Sequence, residues 1–347
     1  MSGRVYLDWN ASAPLRVEAR EAMIAAMDLV GNPSSVHADG RAAKSLLEKA
    51  RNQVAEAIGA VAQDIAFTSG ATEASKLAVA GRNLFAAPIE HDAMHAVVQS
   101  PLNVATNGVV TIDDAQNSTL QLANSETGVL QELPKGLALS DITQGFGKVP
   151  FAFNWAGIDM AIASAHKIGG PKGVGVLVLR QGIEIQAQIL GGGQEMGRRA
   201  GTENLIGIAG FGAAAEAAAK DLANGVWDEV AQRRNMLEDA LQSADDSIII
   251  GANTARLPNT TCIASPGWKG ETQVMQMDLA GFSVSAGSAC SSGKVKTSRV
   301  LAAMGYDELT SMSAIRVSIG PETKDEDVLR FADVWLAAHK KYRVRAA

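Results

Sequence analysis

The stretch Ile158-Asp159-Met160-Ala161-Ile162-Ala163-Ser164-Ala165-His166-Lys167-Ile168-Gly169-Gly170-Pro171-Lys172-Gly173-Val174-Gly175-Val176-Leu177-Val178-Leu179 decides the fold. Apolar residues dominate 158–164 and again 174–179, and both runs predict strands. A lysine follows the end of the first strand and a glycine-rich turn comes at once. That placement aims the Lys167 amine into a cleft.

Working outward, Asp141-Ile142-Thr143-Gln144 lies a short way upstream and supplies an acid that can sit under the same ligand. Residues 65–68 read as a strand, and Ser69-Gly70-Ala71-Thr72-Glu73 as the turn into a helix that runs through Leu77 and Val79. The first N–H groups of such a helix are unpaired and favour a phosphate. An amine for a Schiff base, an acid for a ring nitrogen, and hydroxyls with N–H donors for a phosphate are together the needs of a pyridoxal phosphate (PLP) site.

Further strands are expected at 118–122 and 137–141, and an amphipathic helix at 41–58 from the spacing of Leu47, Ala50, Val54 and Ile58. Strands alternating with helices predict an α/β fold with a mainly parallel sheet flanked by helices. Few residues separate Gly128 from Leu137, and these include Pro134 and Gly136, so an extended loop is expected there in place of a helical crossover. One long alanine-rich helical stretch is expected from 206 towards 240, then strands near Ile248, Thr260 and Val284 and helices near Val300 and over 327–340. These divide the chain into a large domain, residues 16–215, and a smaller α+β C-terminal domain, residues 216–347 completed by 1–15.

Composition narrows the function classes. The 347 residues carry a net charge of -6 with no basic stretch, which argues against nucleic acid. No apolar run reaches the length of a signal peptide or a membrane span, so a cytoplasmic protein without membrane contact is expected. Two cysteines do not make a metal site, and no metal is expected. Cys262 falls in an alternating, strand-like run and reads as core. Cys290, within Ser285-Ala286-Gly287-Ser288-Ala289-Cys290-Ser291-Ser292-Gly293, has small and polar neighbours that suit a reactive thiol.

Taken together the motifs resemble those of the cysteine desulfurases of the class V aminotransferase family, a branch of the fold-type I PLP enzymes. The resemblance rests on Tyr6-Leu7-Asp8-Trp9-Asn10-Ala11-Ser12, Gly31-Asn32-Pro33-Ser34-Ser35-Val36-His37, Phe67 to Glu73, Glu90-His91, Asn124-Ser125-Glu126-Thr127-Gly128, Asp141 to Gln144 and Ser164 to Lys167. It continues through Gly192-Gly193-Gln194-Glu195, Arg199 to Asn204, Ser288-Ala289-Cys290 and Ile315-Arg316-Val317-Ser318, in the family's order across nearly the whole chain.

The resemblance implies a role for each position. Lys167 would attach the cofactor and serve as acid and base at the substrate Cα. Asp141 would pair with the ring nitrogen, Gln144 with the phenolic oxygen, and His91 would stack on the ring and shuttle protons. Ala71, Thr72, Ser164 and His166 would hold the phosphate, with Thr202 reaching in from the other subunit of a homodimer. Arg316 and Asn32 would receive the substrate carboxylate, with Asn124 and Ser125 beside them. Cys290 would take the sulfur of L-cysteine as a persulfide, leaving L-alanine, and pass it to an acceptor such as an iron–sulfur scaffold protein. Ser125 stands where the family usually has a second asparagine, Lys76 where it commonly has asparagine, and Ser140 where it has histidine. Two other readings are a selenocysteine lyase or related β-elimination enzyme, and a weakly active homologue acting as a scaffold.

Overall fold

The computed structural model describes residues 3–287 and 297–346. Ten strands are labelled in chain order: β1 (Val5–Tyr6), β2 (Ile65–Thr68), β3 (Ser140–Asp141), β4 (Met160–Ser164), β5 (Gly175–Leu179), β6 (Ile248–Ile249), β7 (Thr260–Ala264), β8 (Phe282–Ser283), β9 (Ser285–Ala286) and β10 (Ala314–Ser318). The main sheet has the order β2-β5-β4-β3. It extends through single parallel bridges, Thr119 to Leu139 and Phe85 to Ser118. Only β5 runs against its neighbours, pairing antiparallel with β2 and β4 while β3 and β4 pair parallel. The sheet is therefore mainly parallel, and helices flank it, as the α/β reading expects. Every residue of β4 and β5 is buried, as strands covered on both faces must be.

The helix Ala38–Ile58 buries Leu47, Ala50, Val54 and Ile58, is capped by His37 and ends on Gly59 in the left-handed region. It lies against the helix Leu205–Ala223 so closely that a Cβ on Gly212 would stand 2.8 Å from the Ala50 Cα. The expected single helix over 206–240 is broken. Asn224 ends the first half, Gly225 takes φ 74°, and a second helix, Val226–Leu241, begins. Helices Val17–Met27 and Gly270–Leu279 were not anticipated, because their apolar spacing is weak. The connection between Gly128 and Leu137 is indeed without helix.

Apolar burial forms a large cluster around the main sheet and a second one built from Val5 and Leu7 together with residues between Trp227 and Trp335. The second cluster packs on the antiparallel sheet β6-β7-β10-β9, and β1 joins it by pairing parallel with β8. Cys262, on β7, is fully buried, and burial raises its thiol pKa well above the usual range, so it is a packing residue. No helix among the described residues is long and apolar enough to cross a membrane.

Candidate active site

The end of β4 meets the N-terminal segment, and that contact builds the floor of the site. Lys167 closes a single 3-10 turn, Ala165–Lys167. Residues 10–16 clamp this turn from outside: Ala13 N donates to His166 O (2.9 Å), Arg16 N to Gly169 O (2.9 Å) and Arg16 Nε to Ile168 O (2.8 Å). Lys167 Nζ in turn donates to the carbonyls of Asn10 (2.6 Å) and Ala11 (2.9 Å). These contacts hold the amine at a fixed point where it lines the cavity.

The tight turn after β3 supplies the acidic side. Asp141 accepts from Thr143 N (2.9 Å), which orients its carboxylate. Gln144 donates from Nε2 to Asn10 O (2.9 Å), and its Oε1 accepts from the buried Lys148 (3.0 Å). Burial, helped by the cations Lys167 and Arg316, pulls the Lys148 ammonium down to about 7. Deeper still, burial and then the nearby Asp141 push the Glu90 carboxyl up to about 8.

At the opposite end, β2 leads into the helix Ala71–Val79 through Gly70. A Cβ on Gly175 of β5 would stand 2.6 Å from Gly70, so the turn lies flat on the sheet only because β5 begins with glycine. Glu73 fixes the turn by accepting from Ser69 N (2.9 Å) and from Arg199 Nε (2.9 Å). Upstream, Arg51 and Glu195 form a buried bidentate pair, and Glu195 also accepts from Phe67 N (2.8 Å). Burial, with Lys167 and Lys172, pushes His166 down to about 4, so its ring is neutral near pH 7 and keeps one N–H to donate.

The remaining wall comes from β10. Arg316 is buried, donating to Asp8 (2.8 Å) and to Ser125 O (2.9 Å), while its Nε finds no hydrogen-bond partner among the described residues. Next to it, burial pushes the Glu126 carboxyl up to about 7 although Ser298 and Arg316 oppose that shift.

A cavity of about 650 Å³ brings together Lys167, Asp141, Gln144, His91, Ala71, Thr72, Ser164, His166, Ser125 and Arg316 from distant parts of the sequence. Three expected residues lie elsewhere. Asn124 does not line the cavity: one N–H of its amide donates to Ile89 O and its oxygen accepts from Glu126 N, Thr127 N and the Thr127 hydroxyl, which braces the wall. Asn32 is exposed and accepts from Ser34 N, so this chain does not bring it to its own cavity. Thr202, also exposed, lines a separate hollow with Phe67, Ser69 and Gly173. Cys290 lies outside the described residues.

Sequence reading assigned no role to Asn10, Lys148 or Glu90. The spacing of Lys148 four residues after Gln144, across a turn with Gly145 and Gly147, was the available signal.

The donor set fits PLP. An amine, a carboxylate, and a helix start flanked by hydroxyls and a neutral histidine face one cavity, and two buried polar atoms on its wall, Arg316 Nε and Thr143 Oγ1, have no protein partner among the described residues.

Comparison with known proteins points the same way. The family profile described as aminotransferase class-V matches residues 5–127 and 109–331. A cysteine desulfurase of Cereibacter sphaeroides is 38% identical, with 95% of this chain and 94% of that protein covered. Among solved structures, a NifS-like protein from Rickettsia africae superposes with a TM-score of 0.87 at 32% identity, covering 96% of this chain and 98% of that one. SspA in complex with cysteine superposes with a TM-score of 0.77 at 25% identity, covering 92% and 100%.

Proposed function

Because the chain belongs to the aminotransferase class-V family, we propose a division of labour among its residues for the desulfuration of L-cysteine. The enzyme is a PLP-dependent cysteine desulfurase. When bound, the cofactor supplies an electron sink that makes the substrate's Cα proton acidic and its β-sulfur transferable.

Lys167 attaches the cofactor and then moves the proton at Cα, a role supported by its fixed position on the Asn10 and Ala11 carbonyls. With the cofactor bound, Asp141 would pair with the ring nitrogen, Gln144 with the phenolic oxygen, and His91 would lie against the ring. Ala71, Thr72, Ser164 and the neutral His166 would hold the phosphate, and Thr202 would complete that end for the second subunit of a homodimer. Arg316, which lines the cavity and is anchored by Asp8 and Ser125 O, receives the substrate carboxylate. The Cys290 thiolate takes the substrate sulfur. The net change is L-cysteine plus the Cys290 thiol giving L-alanine plus the Cys290 persulfide, which balances without an oxidant.

The two-domain division, 16–215 and 1–15 with 216–347, belongs to this reading: the second apolar cluster draws only on the smaller part, while the first also takes in Ile250, Cys262, Val300 and Leu301 across the boundary. A cytoplasmic location suits a thiol that must stay reduced between turnovers. The sulfur acceptor is a protein, and iron–sulfur cluster assembly is the use we assign to it. The convergence of Lys167, Asp141 and Arg316 on one cavity carries this reading. The purified protein, given PLP and L-cysteine, should form L-alanine, and Cys290→Ser should lose it. A wild-type protein that binds PLP yet forms no alanine overturns the proposal. Selenide release that survives Cys290→Ser would point instead to a selenocysteine lyase.

A further inference from the structure

Lys148 is 3% exposed, and among the described residues it forms no ion pair with any carboxylate. A buried ammonium without a counter-charge is costly, and its environment pulls it towards neutrality. Its contacts all run to the site. Nζ donates to Gln144 Oε1 (3.0 Å) and to Asn10 Oδ1 (3.2 Å). Asn10 Oδ1 also accepts from Asn259, and the Asn10 carbonyl accepts from both Gln144 Nε2 and Lys167 Nζ.

A glutamine amide has two faces of nearly equal shape, one that only accepts and one that only donates. While it is protonated, the Lys148 amine has donors and no acceptor, so it tolerates only the accepting face. Gln144 must then turn its NH₂ group away from Lys148 and towards Asn10 and the cavity. The same logic sets the Asn10 amide, whose Nδ2 is left to donate to Thr260 (2.8 Å) and Ser125 O (3.3 Å).

We propose that Lys148 is a positioning residue that locks the Gln144 amide with its N–H donors facing the cofactor, at the expense of fold stability. The inference rests on the PLP reading. A positioning lysine, unlike a structural one, has two effects of opposite sign when replaced: weaker cofactor binding and a more stable fold.

The test compares wild type, Lys148→Met, Gln144→Ala and the double variant. PLP affinity is measured by equilibrium dialysis and the melting temperature on the cofactor-free protein. Lys148→Met should bind PLP about tenfold more weakly, the loss expected for one positioned hydrogen bond. Its cofactor-free form should melt at a higher temperature than wild type, because an apolar isostere replaces an unpaired buried cation. In the Gln144→Ala background the same substitution should change PLP affinity by less than about twofold, since nothing remains to orient. Lys148→Arg, which keeps the donors, should recover part of the affinity if it is accommodated.

A melting temperature and affinity that fall together overturn the proposal, as does an affinity loss undiminished by Gln144→Ala. If Lys148→Met does not fold, that too overturns it, because the lysine is then structural. A wild type that fails to bind PLP defeats the underlying reading instead.

Discussion

Asn10 carries no ionisable group, yet its backbone carbonyl and side-chain amide join Lys167, Gln144, Lys148, Thr260 and Asn259. Sequence patterns reveal residues whose chemistry is distinctive, which is why Lys167 and Asp141 stood out, whereas Arg316 came from the resemblance alone. They do not reveal a residue whose importance lies in being touched from several sides. Asn124 shows a second kind of hidden contact: its amide oxygen and one N–H brace the wall through Ile89, Glu126 and Thr127. Arg316 yields a prediction at this scale. Its planar fork binds Asp8 and Ser125 O at once while it lines the cavity, which a lysine cannot do. Arg316→Lys should raise the KM for L-cysteine by about tenfold or more in steady-state assays, with PLP affinity little changed. Glu90 yields another. Its pKa is raised in the folded state, so its favourable contribution is fully present below the unfolded carboxyl pKa, and is lost as pH rises towards about 8. Between pH 5 and 7 stability should therefore fall, and Glu90→Gln should remove about 2 kcal/mol of that fall in urea titrations at the two pH values. Glu126 adds a slope of the same sign. His166, held down to about 4, opposes it up to about pH 6.5, and Lys148 opposes it from near pH 7.

At the scale of elements, the connection from Gly128 to Leu137 shows how parallel neighbours can be joined without the usual helix. Leu130 N donates to Ala255 O and Leu257 N to Gly128 O, so the backbone of another loop stands in for helical hydrogen bonds. Gln131 ties the stretch to the segment before it, accepting from Val110 N (3.0 Å) and donating to Gly108 O (2.7 Å) while buried. Gln131→Leu should cost about 2 kcal/mol in chemical denaturation, since it strands two buried backbone groups. The missing helix was legible from the shortness of the segment and from Pro134 and Gly136. Its replacement was not, because the partner backbone lies more than a hundred residues away. The break at Gly225 has a similar cause. An alanine-rich run has high helix propensity throughout, and only the glycine's left-handed φ shows where two shorter helices pack better than one. Glu195 makes the complementary case. Glu195→Ala should destabilise the fold by about 3–5 kcal/mol, because it leaves Arg51 buried without its carboxylate and Phe67 N without an acceptor.

Across the whole molecule, the two ends of the chain share one sheet region. Val5 and Tyr6 pair with Phe282 and Ser283, Asp8 bridges Ser318, and Trp9 packs so tightly on Gly320 that no side chain fits there. Removing residues 1–9 should lower the melting temperature of the cofactor-free protein by about 5 °C or more in a calorimetric scan, since Val5 and Leu7 leave the second apolar cluster. The same arrangement imposes a timetable during synthesis. Asn10 N donates to Ser318, and Trp9 N to the Ser318 carbonyl. The two partners emerge from the ribosome roughly 300 residues apart, an interval of about 15–60 s at ordinary elongation rates. For most of that wait, until Phe282 and Ser283 emerge, β1 has nothing to pair with, and the nascent chain must carry it exposed. A chain released before residue 318 would own its lysine, its acid and its phosphate turn, and still lack the contact that holds Asn10 against them.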